Sequence, residues 1–156
     1  MARVLTTLAM VAAIWSVPAL AADKCQKIAD VVFEEVASRA VVLDNLKKDP
    51  KEGPLGEPWR YLAFMFTDEM DKLKVPIEKQ HEIARSVAGL TFSDNPEIET
   101  DIFTEYYYLT CKRETQGESS TPLASIDPKS LLSCWDSASS RADFQGCVGK
   151  LLIPAQ

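Results

Sequence analysis

Apolar residues recur every three or four positions along most of this chain, with polar residues between them. From Asp23 to Lys48 the stripe is Cys25, Ile28, Val32, Val36, Ala40 and Leu43, which predicts one long amphipathic helix. Asp23 and Gln26 have the spacing of a capping box at its start. Asp49 to Glu57 contains Pro50, Gly53, Pro54 and Gly56 and reads as a loop. Pro58 then opens a second helix whose inward positions are Trp59, Leu62, Ala63, Phe66, Met70 and Leu73. Val75-Pro76 ends it, and a third helix turns Ile77, Ile83, Ala84, Val87 and Leu90 to the core.

Asn95 is placed to cap a fourth helix, with Glu97, Glu99 and Asp101 in its first turns, where carboxylates interact well with the helix dipole. Ile98, Ile102, Phe103, Tyr106 and Leu109 face inward. The run Tyr106-Tyr107-Tyr108 has strand propensity, but the cap, the acidic first turns and the Lys112-Arg113 finish favour helix. Glu114 to Ile126 is a long polar connection, either mobile or functional. Asp127-Pro128 starts a fifth helix carrying Leu131, Leu132, Trp135 and Ala138. After a break at Ser137 to Arg141, the positions Phe144, Cys147, Val148 and Leu151 define a last helix. Gly146 and Gly149 weaken that helix but are expected to allow close packing against the one before it. The fold class that follows is all-α, a compact bundle of five or six helices.

The N-terminus changes the picture of where the chain works. Arg3, the largely apolar run Val4 to Val17, Pro18 and then Ala19-Leu20-Ala21 have the form of a secretory signal. Cleavage is expected after Ala21, because the run falls short of the ~20 residues a spanning helix needs. The domain is then 22–156, a main bundle over 22–112 and a helical hairpin over 127–153, placed in the periplasm with no membrane insertion after cleavage. All four cysteines, Cys25, Cys111, Cys134 and Cys147, lie in this exported part and read as two disulfides. Of three possible pairings, locality favours Cys134 with Cys147 across the hairpin, which leaves Cys25 with Cys111.

The net charge is −6, and one unit more negative once Arg3 is removed. Such a balance argues against nucleic acid or an anionic membrane and favours a soluble protein or a basic partner. His81 is the single histidine and has no second histidine at metalloprotease spacing, nor a nucleophile-elbow motif. No cysteine lies near another at zinc-ligand spacing. Glu34-Glu35, or Glu69 with Asp71, can be imagined as an acid/base pair, but sequence neighbours do not share a helix face. No metal, no cofactor and no catalytic residue is therefore expected, and an enzyme is the least favoured class. Three successive tyrosines point about 100° apart, so one or two of them should reach the surface, where tyrosine favours protein interfaces.

An Ala-rich signal, a cysteine opening the first helix, and an aromatic helix ending Tyr107-Tyr108-Leu109-Thr110-Cys111-Lys112 make a recognisable pattern. It resembles the small all-helical, disulfide-bonded periplasmic proteins of Gram-negative bacteria, among them the immunity proteins that neutralise cell-wall amidases delivered by type VI secretion. The resemblance implies an immunity or inhibitor protein whose partner is a secreted cell-wall hydrolase. A structural or stress-related, chaperone-like envelope protein is the alternative. Of two loops able to project from the bundle, Lys51 to Glu57 and Glu114 to Leu123, the second is favoured as the partner contact because a disulfide at Cys111 anchors its base. Its tip is Gln116, Gly117, Glu118, Ser119 and Ser120, with Glu118 offered to a basic site and Tyr107 and Tyr108 alongside.

Overall fold

The computed structural model describes residues 16–48 and 57–154, with side chains for 23–44 and 57–154. The described residues form helices and no strand: α1 (Ser16–Lys48), α2 (Pro58–Lys72), α3 (Ile77–Gly89), α4 (Pro96–Thr115), a single 3-10 turn (Leu123–Ser125), α5 (Pro128–Ser137) and α6 (Arg141–Leu151). The all-α expectation holds. The expected loop at Asp49 to Glu57 lies, apart from Glu57, outside the described residues. No described helix is long and apolar enough to cross a membrane.

Helix α1 begins earlier than its apolar stripe suggests. Ala19-Leu20-Ala21-Ala22 are strong helix formers, and Pro18 sits in the first turn, where its missing N–H has no intrahelical role. Asp23 is thus inside the helix, and the expected capping box is absent. Asp23 instead pairs with Lys27 at 2.7 Å, while Gln26 donates to Asp30 at 2.9 Å. Cys25, Ile28, Val32 and Val36 are buried as expected, but Ala40 is exposed. At 3.6 residues per turn, four turns on from buried Cys25 fall nearer to 39 than to 40. Arg39 stands there and donates to the carbonyls of Val87 and Leu90 at 3.1 and 2.8 Å.

The core is centred on the α1–α4 contact, with the α2–α3 pair packed against α1. Phe103, Tyr106 and Ile102 from α4 meet Val32 and Val36 from α1, Leu62 from α2 and Ile83 and Val87 from α3 in one cluster. Ile77, expected inward, is 47% exposed at the first position of α3, while Gln80, Ile83, Ala84 and Val87 are buried. Gln80 donates to Asp71 at 2.8 Å and to the Val75 carbonyl at 2.9 Å, which fixes the α2–α3 turn.

Two helix ends share one device. Lys74 and Gly117 adopt positive φ (54° and 76°), and the following amides, Val75 and Glu118, reach back to the carbonyls of Met70 and Arg113. This is the Schellman pattern. Asn95 caps α4 through the Glu97 amide (2.9 Å), and Asp127 caps α5 through the Lys129 amide (3.2 Å), both as expected.

Both expected disulfides are present, Cys25–Cys111 joining α1 to α4 and Cys134–Cys147 joining α5 to α6. The α5–α6 hairpin docks on α4 through Leu131, Phe144, Val148 and Leu152. Gly146 and Gly149 do not serve the close approach expected of them. A Cβ at either position meets nothing within 4 Å.

Candidate functional site

The polar connection after α4 lies down on the bundle. Arg113 donates to the Ser119 carbonyl at 2.9 Å through Nη2 and pairs with Glu118 at 3.0 Å. The Tyr106 hydroxyl donates to the Thr121 carbonyl (3.0 Å), and the Thr121 amide to that of Leu152 (2.9 Å). Gln116, Gly117, Glu118 and Ser119 are exposed, and Glu118 is paired with Arg113 of its own chain. Tyr107, expected at the surface, is 2% exposed, and burial holds its phenol proton well above the usual range. A triad of successive helical positions can bury two members when the helix is covered on two sides, and α4 is covered by α1 and by the hairpin. Tyr108 alone is half-buried, with Lys112 5.3 Å from its ring centroid. The sequence-predicted contact residues thus share the end of α4 without forming one exposed face.

A broad concavity lies elsewhere. The hairpin docks chiefly on α4, which leaves a groove of about 800 Å³ between it and α1. One wall is α1, with Asp30, Phe33 and Glu34. The floor is α4, with Asp101, Thr104 and Glu105. The other wall runs from Trp135 and Asp136 to Arg141. Phe33 is 49% exposed, a large apolar side chain ringed by carboxylates.

Charge in the groove is one-sided. Asp101 accepts a hydrogen bond from Trp135 Nε1 at 3.1 Å, which sets the indole as part of the wall. Buried Glu105 accepts from Arg141 Nε and, at 2.7 Å, from Gln145 Nε2. Arg141, the one cation lining the groove among the described residues, is therefore already committed. Among the described residues, Glu34 and Asp136 take part in none of the ion pairs. The rim offers negative charge around an aromatic platform, an arrangement suited to a Lys- or Arg-bearing segment.

Sequence reasoning missed this site, although two signals pointed to it. Glu105 stands at an inward helical position between Ile102 and Leu109, which demands a partner from a neighbouring element. Phe33 stands off the α1 stripe, so nothing in its own helix buries it. The neighbours Glu34 and Glu35 do point apart, as expected. Glu34 faces the groove, whereas Glu35 is 2% exposed and desolvation pushes its carboxyl up to about 8.

Among the described residues no group of three His, Cys, Asp or Glu is arranged to hold a metal ion. His81 packs edge-on against Trp59, ring centroids 5.2 Å apart, and Arg85 lies 4.5 Å from the centroid of that indole. No protein-family model, curated protein or solved structure matches the chain.

Proposed function

We propose that this protein is an exported, periplasmic binding module that takes a basic segment of a protein partner in the groove between α1, α4 and the hairpin. One observation carries the reading: exposed Phe33 sits among carboxylates, and the one cation lining the groove among the described residues is already paired with Glu105. An immunity or inhibitor role, directed at a secreted cell-wall hydrolase with a basic approach to its active site, is the specific form of it. The two disulfides support an exported setting.

The test is capture of envelope proteins by the wild type, by a Glu34→Gln/Asp136→Asn variant, and by Phe33→Ala. A partner whose binding weakens with salt and falls at least tenfold in both variants, at unchanged melting temperature, supports the groove. A partner held at full affinity by both variants removes it.

A second reading, a chaperone-like envelope protein, draws on other exposed apolar side chains, Val41 (61%), Phe64 (73%) and Met65 (48%). It predicts that the protein suppresses aggregation of unrelated unfolded chains, which a dedicated inhibitor does not do.

A further inference from the structure

A second cavity, independent of the groove, lies between α3, α4 and the connection that follows α4. Its volume is about 420 Å³, within the ~300–1,000 Å³ common for small-molecule sites. Ser86 comes from α3, Thr110 from α4, and Ser119 and Ser120 from the connection, so four hydroxyl-bearing residues converge on one space. Thr110 is 3% exposed, and its Oγ1 faces the Tyr106 phenol without hydrogen-bond geometry. Ser120 Oγ is likewise buried and unpartnered. Two orphan hydroxyls in one cavity are costly, since a buried donor or acceptor left unmade loses its full solvation.

The remaining lining narrows the chemistry. Lys79 bridges Glu82 and Glu114 at 3.2 Å each. Burial of Lys79 works against its charge, but the two carboxylates outweigh it and raise its pKa. The excess of carboxylate disfavours an anionic ligand, and the ammonium disfavours a cation. Pro122, Leu123 and Ala124 supply an apolar surface on the loop side. A purely apolar ligand leaves the hydroxyls unsatisfied. What fits is a neutral molecule with hydroxyls along its edges and C–H on its faces. Carboxylates take the paired hydroxyls of a vicinal diol, and Thr110 and Ser120 both donate and accept.

From this arrangement we infer that the cavity between α3, α4 and residues 119–124 binds a small neutral polyhydroxylated ligand, a saccharide in chemical class. The connection is pinned in advance at Ser119 and Thr121 by Arg113 and Tyr106, so little ordering accompanies binding. The same pinning explains why so polar a segment lies against the bundle: it is one wall of a site.

The test uses the intact disulfide-bonded protein, titrated with D-glucose and N-acetylglucosamine and, as an anionic control, with inorganic phosphate. Ligand-observed and amide NMR are the readouts. At least one saccharide is expected to bind at millimolar concentration or tighter and to shift the amides of Ser86, Thr110 and Ser120. Thr110→Val and Ser120→Ala should each weaken it at least tenfold. Thr110→Val keeps the side-chain shape and removes an unpaired hydroxyl, so its melting temperature should not fall. Binding of phosphate in preference to both saccharides overturns the inference. So does saccharide binding that both variants leave unchanged, or no saccharide binding at tens of millimolar, which leaves the hydroxyls to ordered water. None of these results bears on the acidic groove, whose residues are not touched.

Discussion

The helical bundle and the C-terminal hairpin reach stability by different routes. Helices α1 to α4 bury large side chains from every member, including Val32, Leu62, Ile83, Phe103 and Tyr106. The hairpin has two short helices and a thin apolar face made of Leu131, Phe144, Val148 and Leu152. It is held by a disulfide within itself and by polar clamps onto α4, namely Glu105 with Arg141 and Gln145, and Asp101 with Trp135. The bundle buries the Glu35 carboxyl in its core at 2% exposure, whereas the hairpin is held by the α4 carboxylates it pairs with. The groove exists at the border of these two regimes, since a hairpin with a larger apolar face could also cover α1.

The largest test of that contrast is removal of each disulfide. Cys25 and Cys111 are 86 residues apart and Cys134 and Cys147 are 13 apart. In the chain-entropy model the first contributes about 4.5 kcal/mol and the second about 3. A Cys25→Ala/Cys111→Ala variant should therefore lose more global stability in denaturant melts than Cys134→Ala/Cys147→Ala. The second variant should release the hairpin locally, seen as faster amide exchange in α6 with the bundle still protected. If the two variants unfold at the same midpoint and exchange uniformly, bundle and hairpin are one cooperative unit and the contrast fails.

Glu35 sharpens it from the bundle side. Its folded pKa, about 8, lies above the unfolded value of 4.5 because burial disfavours the anion. The folded state then holds a proton that the unfolded state has lost. Stability is full below about 4.5 and declines as pH rises through about 8, by up to about 1.4 kcal/mol per unit. The groups on α3 and α4 electrostatically coupled to the same buried region, Glu82 and Tyr107, do not oppose this, since neither is cationic. Glu35→Gln should flatten the decline, so the variant gains a few kcal/mol on the wild type between pH 5 and 8. Parallel stability profiles for the two proteins would show that Glu35 is hydrated and ordinary.

How much of this was legible beforehand follows from what a helical repeat reports. Periodicity located the core faces of α2, α4 and α5, because side chains three or four apart must share a face, and the short spacing of Cys134 and Cys147 gave both disulfides by locality. It misplaced Ala40, where Arg39 holds the inward position through hydrogen bonds to the carbonyls of Val87 and Leu90, and Ile77 at the start of α3, and it did not mark Gln80, buried and bonded to the Val75 carbonyl. Periodicity treats every polar residue as outward, so it is blind to such positions. Glu99 is the clearest case. Its place in the first turns predicts only a favourable interaction with the helix dipole, yet it is buried and accepts the amides of Phe92 and Ser93, with Arg39 at 3.7 Å. The groove was illegible for a related reason: its walls come from positions 30–34, 101–105 and 135–144, and only docking of the hairpin brings them together.

A smaller effect is expected at the clamp between the two regions. Arg141 is more than half exposed while Glu105 is buried, so solvent screens the pair from one side. Arg141→Ala should cost about 1–2 kcal/mol, mostly from leaving Glu105 with Gln145 as its only remaining partner. Glu105→Gln added to that variant should restore part of the loss, since an amide is cheaper to bury than a lone carboxylate. If the double change is worse than the single one, the side chain of Glu105 matters for packing rather than for charge.

The smallest effect has the opposite sign and lies wholly within the hairpin. Gly146 and Gly149 are interior to α6, neither has a positive φ, and a Cβ at each meets only open space. Glycine in a helix interior is less favourable than alanine by about 0.8–1.0 kcal/mol, through the backbone freedom it loses on folding. Gly146→Ala and Gly149→Ala should therefore each stabilise the protein by about 0.5–1 kcal/mol, read as a higher denaturant midpoint. The gain should be larger when Cys134–Cys147 is reduced, because α6 then relies more on its own helical propensity. A destabilising result at either position would mean that the hairpin packs closer to another surface than this structure shows, with a bound partner as the first place to look. Gly149 is the more informative of the two, being half-buried where Gly146 is exposed. A loss confined to Gly149→Ala would identify the face of α6 on which that surface lies.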